Sequence, residues 1–357
     1  MTRLVVKGIG VAGAFGTGVE SFQSALAEGR ATVGSVEVAT GEGVVTVPAY
    51  RADTAALEEF VPKRALRRVD NYSKLALLGS YLALKDAGML GADLGRLGLV
   101  IASGYGATAT TYAFLDSLIS GGDTCASPTH FANSVHNAAA ANVAITLGIR
   151  GPSLTVSQFD MSVPSALVSA RQWLAEGRVD AVLFGAVDEV SELVAYLQHR
   201  RYGPRHVAAM APFDAGTESS IIGEGAAFLV LTRDDGGTAY CGIDSVETGN
   251  VFGGGLSLPD DALMLLGADG RKELGRRYLD TVAAGATAAC YTPIYGSMPA
   301  AAAFDLAAAA LALKNGQAFA SPAGPGPFAP DSAGVSRICS LRLAGPSEYA
   351  TVLMSKL

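Results

Sequence analysis

The sequence predicts an α/β protein of two comparable halves, each a sheet with helices on both faces. Three observations carry that expectation. Strand-like apolar runs alternate with helix-period segments along all 357 residues. Half of the residues are apolar, ample for a large buried core. Alanine is abundant and 43 residues are glycine, which suits close packing of helices on sheets. The halves are expected at 1–235 and 236–357, the second shortened.

The elements follow in chain order. Residues 4–18 read as a buried strand and a glycine-rich turn ahead of the helix VESFQSALAEG. Gly8, Gly10 and Gly13 have the G-x-G-x-x-G look of a dinucleotide site, but no acidic residue closes a following βαβ unit; the other reading is a tight turn. After an irregular segment, Asp70 and Asn71 stand where a helix cap belongs, ahead of an apolar stripe through Leu75, Leu78, Leu82 and Met89. The preceding Lys63, Arg64, Arg67 and Arg68 are a solvated face or a docking patch for an acidic partner protein. An apolar strand over 97–106 ends in Gly104-Tyr105-Gly106. TATTYAFLDSLISGG is then an amphipathic helix with Thr111, Phe114, Leu115 and Leu118 on its inner side. The segment 127–151 is rich in small residues, and Ala138 to Ala141 would let a helix approach another backbone closely, as at a subunit interface.

Residues 151–190 hold the most chemically suggestive stretch. A β-branched strand around 154–156 follows a Gly-Pro turn and breaks at Gln158-Phe159-Asp160-Met161. A helix begins near Ser162, with Pro164 in its first turn, and an apolar strand at 181–184 follows. Strand, sharp turn and helix present a nucleophile at the mouth of a pocket, where the helix N-terminus favours negative charge. Here no cysteine or serine stands at the turn's centre. Next, 211–233 joins a polar turn to a strand through Gly223-Glu224-Gly225. The last third alternates again, with TAYCGIDSVETG as strand, a helix near 272–282, AACYTPIYGSM and the helix AAAAFDLAAAALALKNG. A Gly/Pro loop at 322–330 precedes the closing strands SRICSLRLA and YATVLMS.

Several function classes are excluded. A net charge of −7 argues against general nucleic-acid binding. The four cysteines, Cys125, Cys241, Cys290 and Cys339, are far apart without C-x-x-C spacing, so neither a disulfide framework nor a zinc site is indicated. The longest apolar run, 300–313, is interrupted by Asp305 and too short to span a bilayer. The N-terminus lacks signal-peptide architecture. A soluble cytoplasmic protein with no metal, cofactor or membrane association is expected.

Taken together, KGIGV, RR.D..SKLAL, ASGYG, SPTHFANSVHNAAAA, LGIRGPSLTV, APFDA…GEGAAFLVL and SRICSLRL resemble the β-ketoacyl synthase family, in order and nearly end to end. The resemblance implies a thiolase-like fold, two similar halves in αβαβα layers, with the strand at 152–157 pairing across a dimer two-fold. It also implies a cysteine at the elbow that accepts an acyl chain, and two histidines that promote decarboxylation of a malonyl unit. This chain departs at each position. The cysteine position falls on Asp160, the first histidine at or near Asp269, and the second at or near Ser297; AGPSEYA (344–350) replaces a glycine-rich gate. His130, His136, His199 and His206 are the only histidines, and none lies in a catalytic block. Asp160 is a poor substitute nucleophile, because an acyl–aspartate is a mixed anhydride prone to hydrolysis. A carboxylate at a helix N-terminus instead gains about 0.3–1 kcal/mol from the dipole and can accept from free amides.

A ketosynthase fold without its catalytic residues resembles the chain-length factor of type II polyketide synthases, which heterodimerises with an active ketosynthase and shapes the chain tunnel during malonyl-based elongation on acyl carrier protein. The resemblance places His130 and Phe131 at the crossing into the partner's pocket, with Thr111, Tyr112, Leu115 and Leu118 lining the tunnel; the other reading makes these ordinary core or interface positions. Two alternatives stand beside it. One is a malonyl-carrier decarboxylase, whose relatives keep both histidines and place glutamine at the cysteine position, two residues after Gln158. The other is an inactive homodimer that binds acyl carriers.

Overall fold

The computed structural model describes residues 3–203, 207, 209–283, 285–323, 328 and 334–357. Of the expected loop at 322–330, residues 324–327 and 329–330 lie outside the described residues, as does His206.

Ten strands form one hydrogen-bonded path, and it is a repeat. In chain order the first five are Leu4–Gly13, Leu97–Ala102, Ser153–Val156, Ala181–Asp188 and Gly225–Arg233. Across the sheet they stand as first, fifth, fourth, second, third. The next five are Gly242–Asn250, Leu263–Leu266, Ala288–Ala289, Arg337–Ala344 and Glu348–Ser355, and they take the same order. In both sets the fifth strand pairs antiparallel with both neighbours, while the second pairs parallel with both of its own. The sets join where Leu4 pairs with Ile243 and Val5 with Gly242.

The helices complete the expected αβαβα layers. Ser162–Ala175 and Ala301–Asn315 touch strands of both sets and form the middle layer. Residues 301–313 are buried on every side, as a helix between two sheets must be. Asn71–Asp86 and Ala138–Leu147 cover the first set's outer face. Lys272–Thr281 covers the second set's outer face, its Leu274 and Tyr278 packing with Met264, Leu266, Cys339 and Leu341. The alternate residues Leu263, Leu265 and Ile338 turn to the middle layer.

Several local expectations hold and others do not. Asp70 is the N-cap, accepting from the Ser73 N–H at 2.7 Å, and Leu75 and Leu78 are fully buried. The strand glycines have a packing role: a Cβ on Gly10 would stand 2.1 Å from the Gly79 carbonyl oxygen of the covering helix, and one on Gly8 would stand 2.5 Å from that of Ala83. The helix occupies the space a dinucleotide would need. The stretch read as irregular contains a hairpin, Gly34–Thr40 with Gly43–Tyr50. Ala138, Ala139 and Ala140 are buried in this chain against the helix Asn71–Asp86, so they do not make an outer interface; only Ala141 is exposed. The helix Thr108–Gly121 buries Thr110 alone, and the residues expected on its inner side are partly or well exposed. Its apolar positions are not core.

Candidate functional site

The elbow forms as the sequence pattern suggests. After the strand Ser153–Val156 a short turn, Phe159–Met161, leads into the helix at Ser162. Ser162 holds the turn: its buried Oγ accepts from the Gln158 N–H at 2.7 Å and lies 2.7 Å from the Phe159 carbonyl, to which it donates. Phe159 has φ +45°, the one non-glycine residue with positive φ among the described residues. Such a backbone costs about 1–3 kcal/mol and persists only when its surroundings over-determine it. Gly104, from the Gly-Tyr-Gly turn, passes beneath: a Cβ there would stand 2.2 Å from Pro299 and 3.2 Å from the Phe159 Cα.

The second set of strands contributes a matching elbow. The strand Ala288–Ala289, the turn Thr292–Tyr295 and the helix from Ala301 repeat the order strand, turn, helix, and Ser297 lies at that junction. Asp188 ties the two together. Its buried carboxylate accepts from Ser103 Oγ and the N–H groups of Gly104, Tyr105 and Ala300, all at 2.8–3.0 Å. Burial nevertheless pushes this carboxyl up to about 6, against those donors.

Asp160, Asp269 and Ser297 are brought together by one polar network. Ser297 Oγ donates to Asp269 Oδ2 at 2.6 Å. Arg271 Nε donates to both Asp269 oxygens at 3.0 and 2.8 Å, and its Nη2 reaches both Asp160 oxygens at 3.3 and 3.2 Å. Arg342 Nη2 donates to Asp160 Oδ1 at 2.5 Å, and Nη1 to the Gly267 carbonyl at 3.2 Å. Burial raises the Asp160 carboxyl, but Arg342 and Arg271 outweigh it and hold the group below the usual carboxylate range. For both guanidiniums burial works against the charge, and the aspartates outweigh it, so both are held above the ordinary arginine value. Two anions and two cations thus fill the floor. The expectation that Asp160 is satisfied by the helix dipole and free amides is replaced by a specific finding: its partners are two guanidiniums from the second set of strands and the segment before Lys272–Thr281.

Arg271 and Arg342 were not picked out by sequence reasoning. Arg271 stands in the GADGR segment already flagged for Asp269. Arg342 is hidden in a strand, with the burial of an apolar residue (3% exposed). The available signal was the pair of carboxylates Asp160 and Asp269 at positions expected to be enclosed, since a buried carboxylate demands a cation.

A cavity of about 790 Å³ opens over this floor. Asp160, Arg271 and Ser297 face it with Gln158, and its apolar wall includes Leu193, Leu197 and Met298. Gln158 Oε1 accepts from Ser165 Oγ at 2.7 Å. Ala344, Gly345 and Glu348 from the AGPSEYA segment also line it. Thr111, Tyr112, Leu115, Leu118, His130 and Phe131 line none of the described cavities. They are instead exposed or partly buried, and among the described residues the strand Ser153–Val156 pairs on one side only. Tyr112 is 52%, Leu115 45% and Phe131 61% exposed. Phe131 packs on Phe114 with ring centroids 5.3 Å apart. Thr111 Oγ1 lies 2.9 Å from the carbonyls of both Ala107 and Ser134. His130 is half buried, its N–H donating to Ser127 Oγ at 3.2 Å. Lys63, Arg64, Arg67 and Arg68 are exposed. Among the described residues no group of three or more His, Cys, Asp or Glu side chains could hold a metal ion, and no helix is long and apolar enough to cross a membrane.

Comparison with known proteins bears on the family and the fold. The model for the beta-ketoacyl synthase, N-terminal domain, matches residues 1–236. A putative polyketide beta-ketoacyl synthase 1 from Streptomyces halstedii is 30% identical over 268 residues, covering 69% of this chain and 63% of that protein. A 3-oxoacyl-[acyl-carrier-protein] synthase 2 from Vibrio harveyi is 26% identical over 239 residues, covering 64% of this chain. The match spans 57% of that relative's length, so the chain spans little more than half of it. The ishigamide ketosynthase/chain length factor superposes with a TM-score of 0.80 at 20% identity, covering 100% of this chain and 99% of that one. That likeness is one of fold.

Proposed function

Because the chain belongs to the β-ketoacyl synthase family, and carries an ion network where that family's chemistry needs a cysteine and two histidines, we propose that it is a non-catalytic chain-length-factor subunit. It heterodimerises with an active ketosynthase and shapes the tunnel that receives an acyl or polyketide chain during malonyl-based elongation on acyl carrier protein. One observation carries the proposal. Asp160 is committed to Arg342 and Arg271, so the elbow offers no group free to form a thioester or deliver a proton.

Two surfaces support it. The open edge of Ser153–Val156 has the unpaired backbone that a second strand needs, and the helices Thr108–Gly121 and Pro128–Asn133 present exposed apolar residues that a partner would cover. On this reading Thr111, Tyr112, Leu115, Leu118, His130 and Phe131 become tunnel wall only when a partner covers them. The cluster Lys63, Arg64, Arg67 and Arg68 is the docking patch for the acidic carrier protein. We take 1–235 and 236–357 as the two thiolase-like halves. A decarboxylase is disfavoured because Gln158 is turned to Ser165 and the sequence has no histidine after His206.

The test is co-expression with a cysteine-bearing ketosynthase, followed by sizing and by product analysis with carrier protein and malonyl donor. A heterodimer is expected, and Leu115→Trp or Thr111→Trp should shorten the product by at least one extension unit. Product lengths that do not change remove the tunnel assignment. A homodimer beside a partner fully active alone removes the heterodimer and leaves a carrier-binding homodimer.

A further inference from the structure

We infer that the elbow cavity continues past Tyr202 and Gln198 into a second chamber beneath the hairpin Gly34–Thr40/Gly43–Tyr50, and that a ligand held in the cavity places a short apolar segment there. Gln198, Tyr202 and Ser220 line both the 790 Å³ cavity and a neighbouring one of about 260 Å³. Only these side chains belong to both walls. The Gln198 amide Nε2 donates to the Ser220 carbonyl at 3.1 Å, fixing one post of the passage. Tyr202 is the last residue of the helix Glu192–Tyr202, before a Gly203 with φ +73°, and forms the other post.

The two chambers differ in size and in the groups at their far ends. The larger has a polar floor, the Ser297–Asp269–Arg271–Asp160 network, beneath Leu193, Leu197 and Met298. The smaller is lined on one side by Val45, Val47 and Pro48 of the hairpin and on the other by Gln198, His199 and Tyr202, with Thr46, Glu218 and Ser220 completing it. Glu218 Oε2 accepts from the Lys272 N–H at 3.2 Å. At 260 Å³ this chamber is small for a whole ligand but ample for the end of one. A molecule with carbonyl or thioester oxygens at one end and an unbranched apolar tail fits the pair: the oxygens meet the Arg271 and Ser297 end, and the tail passes Tyr202 to lie under Val45. The inference rests on the proposal that this chain handles acyl groups. It adds that part of the length selection lies within this chain, away from the surface a partner covers.

The experiment uses the full chain in complex with its ketosynthase, and medium-chain acyl thioesters carrying a diazirine at the far carbon. After irradiation, cross-links are located by mass spectrometry. The expected result is labelling within 45–48 or at His199 of this chain. Val45→Trp, at a partly buried hairpin position, should fill the chamber and reduce that labelling about tenfold or more. Tyr202→Ala should preserve or increase it, which separates a blocked chamber from a misfolded one. Labels elsewhere in the complex but none at the hairpin overturn the second chamber and leave the acyl reading standing. No label on either chain overturns both. Labelling at 45–48 that is unaffected by Val45→Trp places the probe on the hairpin's outer face and also overturns the inference.

Discussion

The two halves of the molecule share one strand order and one elbow design, yet they hold their elbows in different ways. In the first half the elbow is set by backbone and packing: Ser162 pins the turn, Gly104 slides beneath it, and Phe159 stays at a strained φ. In the second half the corresponding region supplies charge: Asp269 and Arg271 come from the turn after Leu263–Leu266, and Arg342 from Arg337–Ala344. The model of the family's N-terminal domain matches residues 1–236. The difference teaches that the framework of a site and its reactive groups reside in separable parts of the chain.

Removing the charge balance should break this arrangement most. Asp160→Ala leaves two guanidiniums facing each other, one of them 3% exposed, and should cost about 3–5 kcal/mol in urea denaturation. Asp160→Cys should cost a similar amount and restore no elongation activity. Stability within about 1 kcal/mol of the parent would show that the network is dispensable.

A sharper contrast comes from glycines in equivalent layers. Gly10→Ala drives a methyl into helix backbone and should cost about 3 kcal/mol or more by overpacking. Gly267→Ala meets side chains rather than backbone, Arg342 Nη1 at 2.8 Å and the Tyr278 hydroxyl at 3.1 Å, and should cost less, about 1–2 kcal/mol. Equal losses would contradict the separation of backbone-held from charge-held packing.

A third effect, comparable in size to the last, is one of pH. Asp305, in the middle-layer helix, accepts from the Tyr295 hydroxyl, and burial pushes its carboxyl up to about 6. The neutral form is favoured in the folded state. Its contribution is therefore present below the unfolded value near 4 and is lost as pH rises to about 6. Asp305→Asn keeps an acceptor for Tyr295 and should flatten this part of the stability curve, worth on the order of 2 kcal/mol. A slope unchanged between pH 4 and 6 would assign the effect to Asp188, which is also pushed up to about 6.

Much of this was legible in the residues. The elbow could be read because a strand-period run, a turn and a helix-period run lie within 25 residues. The middle-layer helix could be read because it is apolar all round. The hairpin at 34–50 was missed although Val36 and Val38 alternate toward Val45 and Val47 across Gly41-Glu42-Gly43, because its polar faces dilute the pattern. The helix Thr108–Gly121 was expected to turn Thr111, Phe114, Leu115 and Leu118 inward and buries Thr110 instead, since an amphipathic stripe does not say whether it meets its own chain, a partner or solvent. Arg342 was beyond reach: pairing with a residue 182 positions earlier is a property of topology, not of local pattern.

The open edge at Ser153–Val156 has a consequence for supply. Free copies of the chain expose this edge as a hydrogen-bonding template, and an edge of that kind is a place where aggregation starts. On the proposed reading, the amount of free chain a cell can carry is capped by the partner strand that covers it.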